Sequence, residues 1–117
     1  MVSSLCERVL KLNSAVAYVA VLDSSNTLLE FASRNGPPTK IPEQIVREFV
    51  SIAPLVILGS VGRLQESCGD TRSVVIRYQN SLTIIYQRKL NFVVVLFDSD
   101  VDQRAVEEIG EEVEQIE

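Results

Sequence analysis

A chain of 117 residues, 46% apolar, fits one domain over residues 1–117 with a single core and argues against disorder. Its formal charge of -5 hides an asymmetry: Asp98, Asp100, Asp102, Glu107, Glu108, Glu111, Glu112, Glu114 and Glu117 face only Arg104 in the last stretch, which disfavours nucleic acid there. Histidine is absent and Cys6 and Cys68 are the two cysteines, so a His-based triad, a structural zinc site and a disulfide framework lack material.

Met1–Ser14 lacks a continuous apolar core and a small-residue cleavage site, so it does not read as a secretory signal. Ser4-Leu5-Cys6-Glu7 has capping-box spacing, and Leu5, Val9 and Leu12 recur at helical intervals, predicting a short helix ending near Asn13. Ala15–Leu22 is apolar throughout, as a strand covered on both faces must be. Asp23-Ser24-Ser25-Asn26 is a turn by composition, and Thr27–Arg34 is a half-exposed strand closing a hairpin. Asn35-Gly36-Pro37-Pro38 is a loop.

A long helical region begins at Pro42, suited to a first helical position, and stops at Gly69. Ile45, Phe49, Ile52 and Ala53 stripe its first half, and Pro54 predicts a kink or a restart. Beyond it, Leu55, Val56, Ile57, Leu58, Val61 and Leu64 leave almost no polar face, while Gly59, Ser60 and Gly62 permit close approach of another backbone. No apolar run reaches the ~20 residues of a membrane span, so direct membrane insertion is not expected.

Three strands follow. Ser73–Gln79 sets Val74, Ile76 and Tyr78 against Ser73, Val75, Arg77 and Gln79; Ser81–Lys89 is mixed; Asn91–Phe97 is apolar after its first position. That gradient runs from sheet edge to sheet centre. Val101, Ala105, Ile109, Val113 and Ile116 then mark an amphipathic helix over 101–117 with an acidic outer face. The Asp98/Asp100/Asp102 cluster suits a helix N-terminus better than a cation loop, since it lacks the glycine and distal glutamate of an EF-hand.

The expected fold is an α/β (α+β) sandwich in the order α-β-β-α-β-β-β-α. Its antiparallel sheet has the order 2-1-5-4-3, with the long helix on one face and the terminal helices on the other. The edge strand Ser73–Gln79 is a pairing hazard unless a partner covers it. The helix from Pro54 to Leu64 has more apolar surface than one small sheet can bury.

This order, with the run SVVIRYQNSLTIIYQRKLNFVVVLFD, resembles the Roadblock family, the dynein light chain type of small α/β domain. REFVSIAPLVILGSVGRL and VVIRYQNSLTIIYQ look similar to archaeal members. The resemblance implies dimers, homotypic or with a paralogous Roadblock-type chain, that join outer strands edge to edge and pack long helices. Mapped here, the interface falls on Val74, Val75, Ile76, Arg77 and Tyr78 and on Leu55, Leu58, Gly59, Val61 and Gly62. Such dimers are platforms that regulate or tether small Ras-like GTPases.

No phosphate-binding loop is present, because Gly59-Ser60-Val61-Gly62 sits in an apolar helix, and no cofactor is expected. Six arginines, Arg34, Arg47, Arg63, Arg72, Arg77 and Arg88, include candidates for a phosphoryl-transfer finger, though packing roles are commoner. Glu107, Glu108, Glu111 and Glu112 form a candidate docking face for a basic partner. Both cysteines read as small core residues in a reducing cytoplasm. The expectation is therefore a non-catalytic scaffold or regulator. A ligand- or signal-sensing module of the profilin/longin-like class is the alternative, although the interior strands offer no convergent polar set.

Overall fold

The computed structural model describes residues 4–34 and 41–116, so the Asn35–Pro38 loop lies outside the described residues. Its elements are α1 (Leu5–Leu10), β1 (Val16–Asp23), β2 (Leu28–Ser33), α2 (Glu43–Val61), a 3-10 turn (Gly62–Leu64), α3 (Gln65–Cys68), β3 (Ser73–Arg77), β4 (Leu82–Gln87), β5 (Asn91–Phe97) and α4 (Gln103–Gln115). The strands form one antiparallel sheet ordered β2-β1-β5-β4-β3, as the apolar gradient predicts.

Strand alternation divides the core into two layers. On one face Val19, Val21, Leu82, Ile84, Tyr86, Val93, Val95 and Phe97 meet Leu5, Cys6 and Val9 of α1 and Val106, Ile109 and Val113 of α4. On the other, Ala20, Leu22, Ile85, Phe92, Val94 and Leu96 meet Val46, Val50 and Leu58 of α2. A register shift between Val16 and Tyr18 lets Val16 enter the first layer while Ala17 and Tyr18 both enter the second.

Local polar groups fix the helix ends. Ser4 caps α1 by accepting from the Glu7 N–H at 3.1 Å, and Asp102 caps α4 by accepting from Ala105 N–H at 2.8 Å. α1 stops at Leu10, short of Asn13, because the Arg34 guanidinium donates to the carbonyls of Leu10, Asn13 and Val16 and turns the chain into β1. α3 ends at Gly69, whose φ of 84° lies where glycine is favoured. In α4 the buried stripe is Val106, Ile109, Val113 and the capping Ile116, with Val101 and Ala105 only half-buried.

Pro54 does not split the helix. α2 runs unbroken from Glu43 to Val61, and the change of winding comes at Gly62 instead. A proline lacks the N–H that would serve the carbonyl four residues back. Here that carbonyl, on Val50, accepts from the Asn26 side-chain amide at 3.0 Å, and the same amide reaches the Ser51 carbonyl at 2.7 Å. Asn26 holds a positive φ of 65°, which asparagine tolerates better than most residues. Asp23 builds the turn that presents it, accepting from Ser25 and Thr27 N–H, each at 2.9 Å.

Cys6 is a core residue, but Cys68 is exposed at the end of α3, correcting the expectation that both are buried. Burial, followed by the charge of Glu30, pushes the Cys6 thiol up to about 12. Burial, then Glu114, also raises the Tyr86 phenol, whose hydroxyl is buried without a hydrogen-bond partner. Folded-state values above the unfolded ones mean that these groups release protons on unfolding in alkali. Their stabilising contribution is full below about pH 9 and is lost as pH climbs toward 12. Tyr86→Phe is expected to leave stability at pH 7 unchanged or raised by up to ~1 kcal/mol, since it removes an unsatisfied buried group. It should also flatten the alkaline fall in urea midpoint. A fall as steep as in the parent chain would rule out Tyr86 as a contributor.

Candidate interaction surface

Among the described residues β3 pairs only with β4, so its other edge faces outward. Its side chains divide between faces by register. Val74 and Ile76, opposite Ile85 and Thr83, point to the α2 side and are half-buried. Val75, opposite Ile84, points to the α4 side and is 39% exposed. Arg77 is drawn toward α4, pairing with Asp100 at 3.2 Å and donating to the Val101 carbonyl. Tyr78 lies just past the strand, half exposed, with its N–H on the Ser81 carbonyl at 2.8 Å.

α2 lies on the sheet through Val46, Val50, Pro54 and Leu58, a spacing of four that defines its inner face. Leu58 is therefore a core residue, and its proposed place in an interface is corrected: it is 7% exposed and packs in the layer beneath α2. Leu55 and Gly59 are exposed and project away from the sheet, while Val61 and the half-exposed Gly62 fall where the helix ends. Ile45, Ile52, Val56 and Leu64 add further exposed apolar surface. A Cβ at Gly59 or Gly62 would meet no atom within 4 Å beyond its own helical neighbourhood. Nothing in the described fold requires either glycine.

The two flanks of α2 differ. Toward β2, Arg47 lies over the Phe31 ring, 4.2 Å from its centroid, and pairs with Glu43 at 3.1 Å. Toward the β3–β4 hairpin, Ile41, Ile45, Val46 and Phe49 enclose a mostly apolar hollow of about 300 Å³ with Tyr78, Ser81, Thr83 and Leu96. Tyr18 anchors this corner by donating to the Ile41 carbonyl at 2.7 Å. By length and composition the continuous helical stretch Glu43–Cys68 is apolar enough to cross a membrane, with mean hydropathy 1.7 in its most apolar window. Apolar-run length missed this, because the few intervening polar residues barely lower the mean.

The acidic residues of α4 form two flanks. Glu107 and Glu111, with Glu114, border a groove of about 300 Å³ against Arg72, Val75 and Tyr86. Glu108 and Glu112 border another hollow beside Leu12. Gln103 and Arg104 donate to Glu107 and Glu108, and Arg72 pairs with Glu114 at 2.7 Å. Most of the arginines are engaged as well: Arg34 on carbonyls, Arg47, Arg72 and Arg77 on carboxylates, and Arg88 on the Ile116 carbonyl. Arg63 stands exposed on the 3-10 turn, at the far end of the outer α2 surface.

An edge strand beside an apolar helix on one five-stranded sheet defines a small α/β module. No protein-family model and no curated protein matches the sequence. Solved structures do. The gliding protein MglB of Thermus thermophilus superimposes with a TM-score of 0.70 at 15% identity, over 95% of this chain and 81% of that one. A Roadblock/LC7 domain from Streptomyces avermitilis gives 0.69 at 12%, over 93% and 85%. An MglB with a tetrameric arrangement gives 0.66 at 12%, over 98% and 88%. The chain has the Roadblock/LC7 fold.

Proposed function

We propose that this chain is a non-catalytic, cytoplasmic scaffold or regulator that works as a two-fold dimer and binds a small Ras-like GTPase or tethers it to a larger assembly. The observation that carries the proposal is the uncovered β3 edge with half-buried Val74 and Ile76 beside it. Two copies joined at β3 would extend one sheet across both, with backbone hydrogen bonds supplying affinity. The β3-facing flank of α2, including Phe49 and Val56, would then meet its counterpart isologously. A tetrameric arrangement in an MglB structure supports self-association as a property this fold accommodates. The GTPase partner follows from the Roadblock resemblance.

Light scattering over a dilution series tests the dimer: we expect a mass of at least twice the 13.0 kDa chain. Co-sedimentation with a small Ras-like GTPase, loaded with GDP or a non-hydrolysable GTP analogue, tests the partner. A monomer that survives at high concentration would remove the platform. The hollow of about 300 Å³ beside Phe49 and Thr83 supports the second reading, a sensor for a small apolar ligand. That reading gains if the monomer is stabilised by such a ligand while showing no GTPase affinity.

A further inference from the structure

Glu107, Glu111 and Glu114 recur on α4 at intervals of four and three, so one side of the helix carries all three carboxylates to the same groove. The groove holds about 300 Å³, and its opposite wall is Arg72, Ser73 and Val75. Tyr86 forms its floor. Gly110 lets α4 ride close over that ring: a Cβ there would stand 3.3 Å from the ring edge and 3.8 Å from the hydroxyl oxygen. Burial and then the nearby Glu114 charge hold the phenol in its protonated form. Tyr86 is only 4% exposed, and its hydroxyl has no hydrogen-bond partner. A buried hydroxyl left unpaired costs stability, and this one lies at the base of a carboxylate wall.

The groove already holds a cation at one end. There the Arg72 guanidinium donates to one Glu114 oxygen from Nε at 3.1 Å and from Nη2 at 2.7 Å. Glu107 receives only a long contact from the Gln103 amide, at 3.5 Å. Glu111 has no polar partner among the described residues. Two under-used carboxylates therefore stand beside a satisfied one, above an unpaired hydroxyl.

We infer that this groove binds an extended basic segment of a partner protein, two of whose cationic side chains, two residues apart, pair with Glu107 and Glu111 while one of them donates to the Tyr86 hydroxyl oxygen. The spacings agree: Glu107 and Glu111 are ~6 Å apart along the helix axis, and alternate side chains of an extended chain are ~6.5 Å apart on one face. Hydrogen bonds between ionised partners are also stronger than neutral ones, which suits a groove short of donors. Glu108 and Glu112, on the other flank, border a hollow with Leu12 and Ile109 and no hydroxyl. The site is thus one side of α4 rather than its acidic surface as a whole. It uses side chains on a sheet face and not the free backbone edge of β3, so it does not depend on how copies of the chain join.

A fluorescein-labelled peptide with a central lysine-serine-lysine, titrated with the full chain and followed by anisotropy, tests the inference. Saturable binding is expected, weakening at least ~10-fold between about 50 and about 300 mM salt. Glu107→Gln and Glu111→Gln should each weaken it at least ~5-fold, whereas Glu108→Gln and Glu112→Gln, which remove the same charge from the other flank, should stay within about twofold. Tyr86→Phe should weaken it at least ~3-fold while the thermal midpoint holds or rises, so the loss is not one of folding. Light scattering on the same variants should give the parent's mass, which separates this groove from the β3 dimer. The inference falls if the peptide does not saturate, if both flanks lose affinity equally, or if a peptide with serine at both lysine positions binds as tightly. Displacement by free spermidine at the peptide's own dissociation constant would reassign the groove to a small polyamine and likewise overturn it.

Discussion

Replacing Asn26 with glycine is expected to lower folding stability by about 2 kcal/mol, because it strips hydrogen bonds from carbonyls beside a helical proline. Glycine keeps the positive φ of this position, so backbone strain is not what the substitution measures. The loss should shrink in a Pro54→Ala background, where the restored N–H can serve the Val50 carbonyl in place of Asn26. Urea denaturation of the four chains closes a double-mutant cycle, and a coupling of about 1 kcal/mol or more is expected. Additivity within ~0.5 kcal/mol would show that Asn26 and Pro54 are independent and that α2 tolerates its proline for another reason.

A larger effect is expected at Leu58. A carboxylate placed there would be buried in the layer beneath α2 with no cation beside it among the described residues, costing more than ~4 kcal/mol and abolishing cooperative unfolding. Leu58→Ala, which only opens a cavity, should cost about 2–5 kcal/mol. Leu55→Glu, three positions earlier and half exposed, should leave the monomer's thermal midpoint within a few degrees of the parent while changing its assembly. Circular dichroism melts beside light scattering separate the two. Equal destabilisation at both positions would contradict the orientation of α2 described above.

Leu55 and Leu58 also show where sequence patterns stop being informative. The sheet order was readable because β1 and β5 are apolar on both faces, whereas β3 alternates; burial on two sides leaves a signature in every residue. The second half of α2 carries no such contrast. Leu55, Val56, Ile57 and Leu58 are alike in polarity, so which of them faces the sheet depends on the helix phase set by Val46 and Val50. Asn26 was legible as a turn residue, but its reach to α2 spans 24 positions and leaves no local trace. The acidic run of α4 read as one face, yet its helix rotates Glu107 toward β3 and Glu108 and Glu112 toward Leu12, with Glu111 bordering both sides.

The pairing of β1 with β5 has a temporal consequence. Val16 lies opposite Phe97 and Val19 opposite Val95, so the first strand of the domain completes its hydrogen bonds on the last. During synthesis β1 emerges early, and the β1–β2 hairpin can close as soon as Ser33 is clear of the ribosome. Its other edge, on a strand apolar on both faces, must wait until Asn91–Phe97 has followed. Such long-range closure makes folding slow and leaves an adhesive nascent strand. The newborn chain is thus most vulnerable at its future centre, and a delay between Gly69 and Asn91 would prolong that exposure more than one after Phe97.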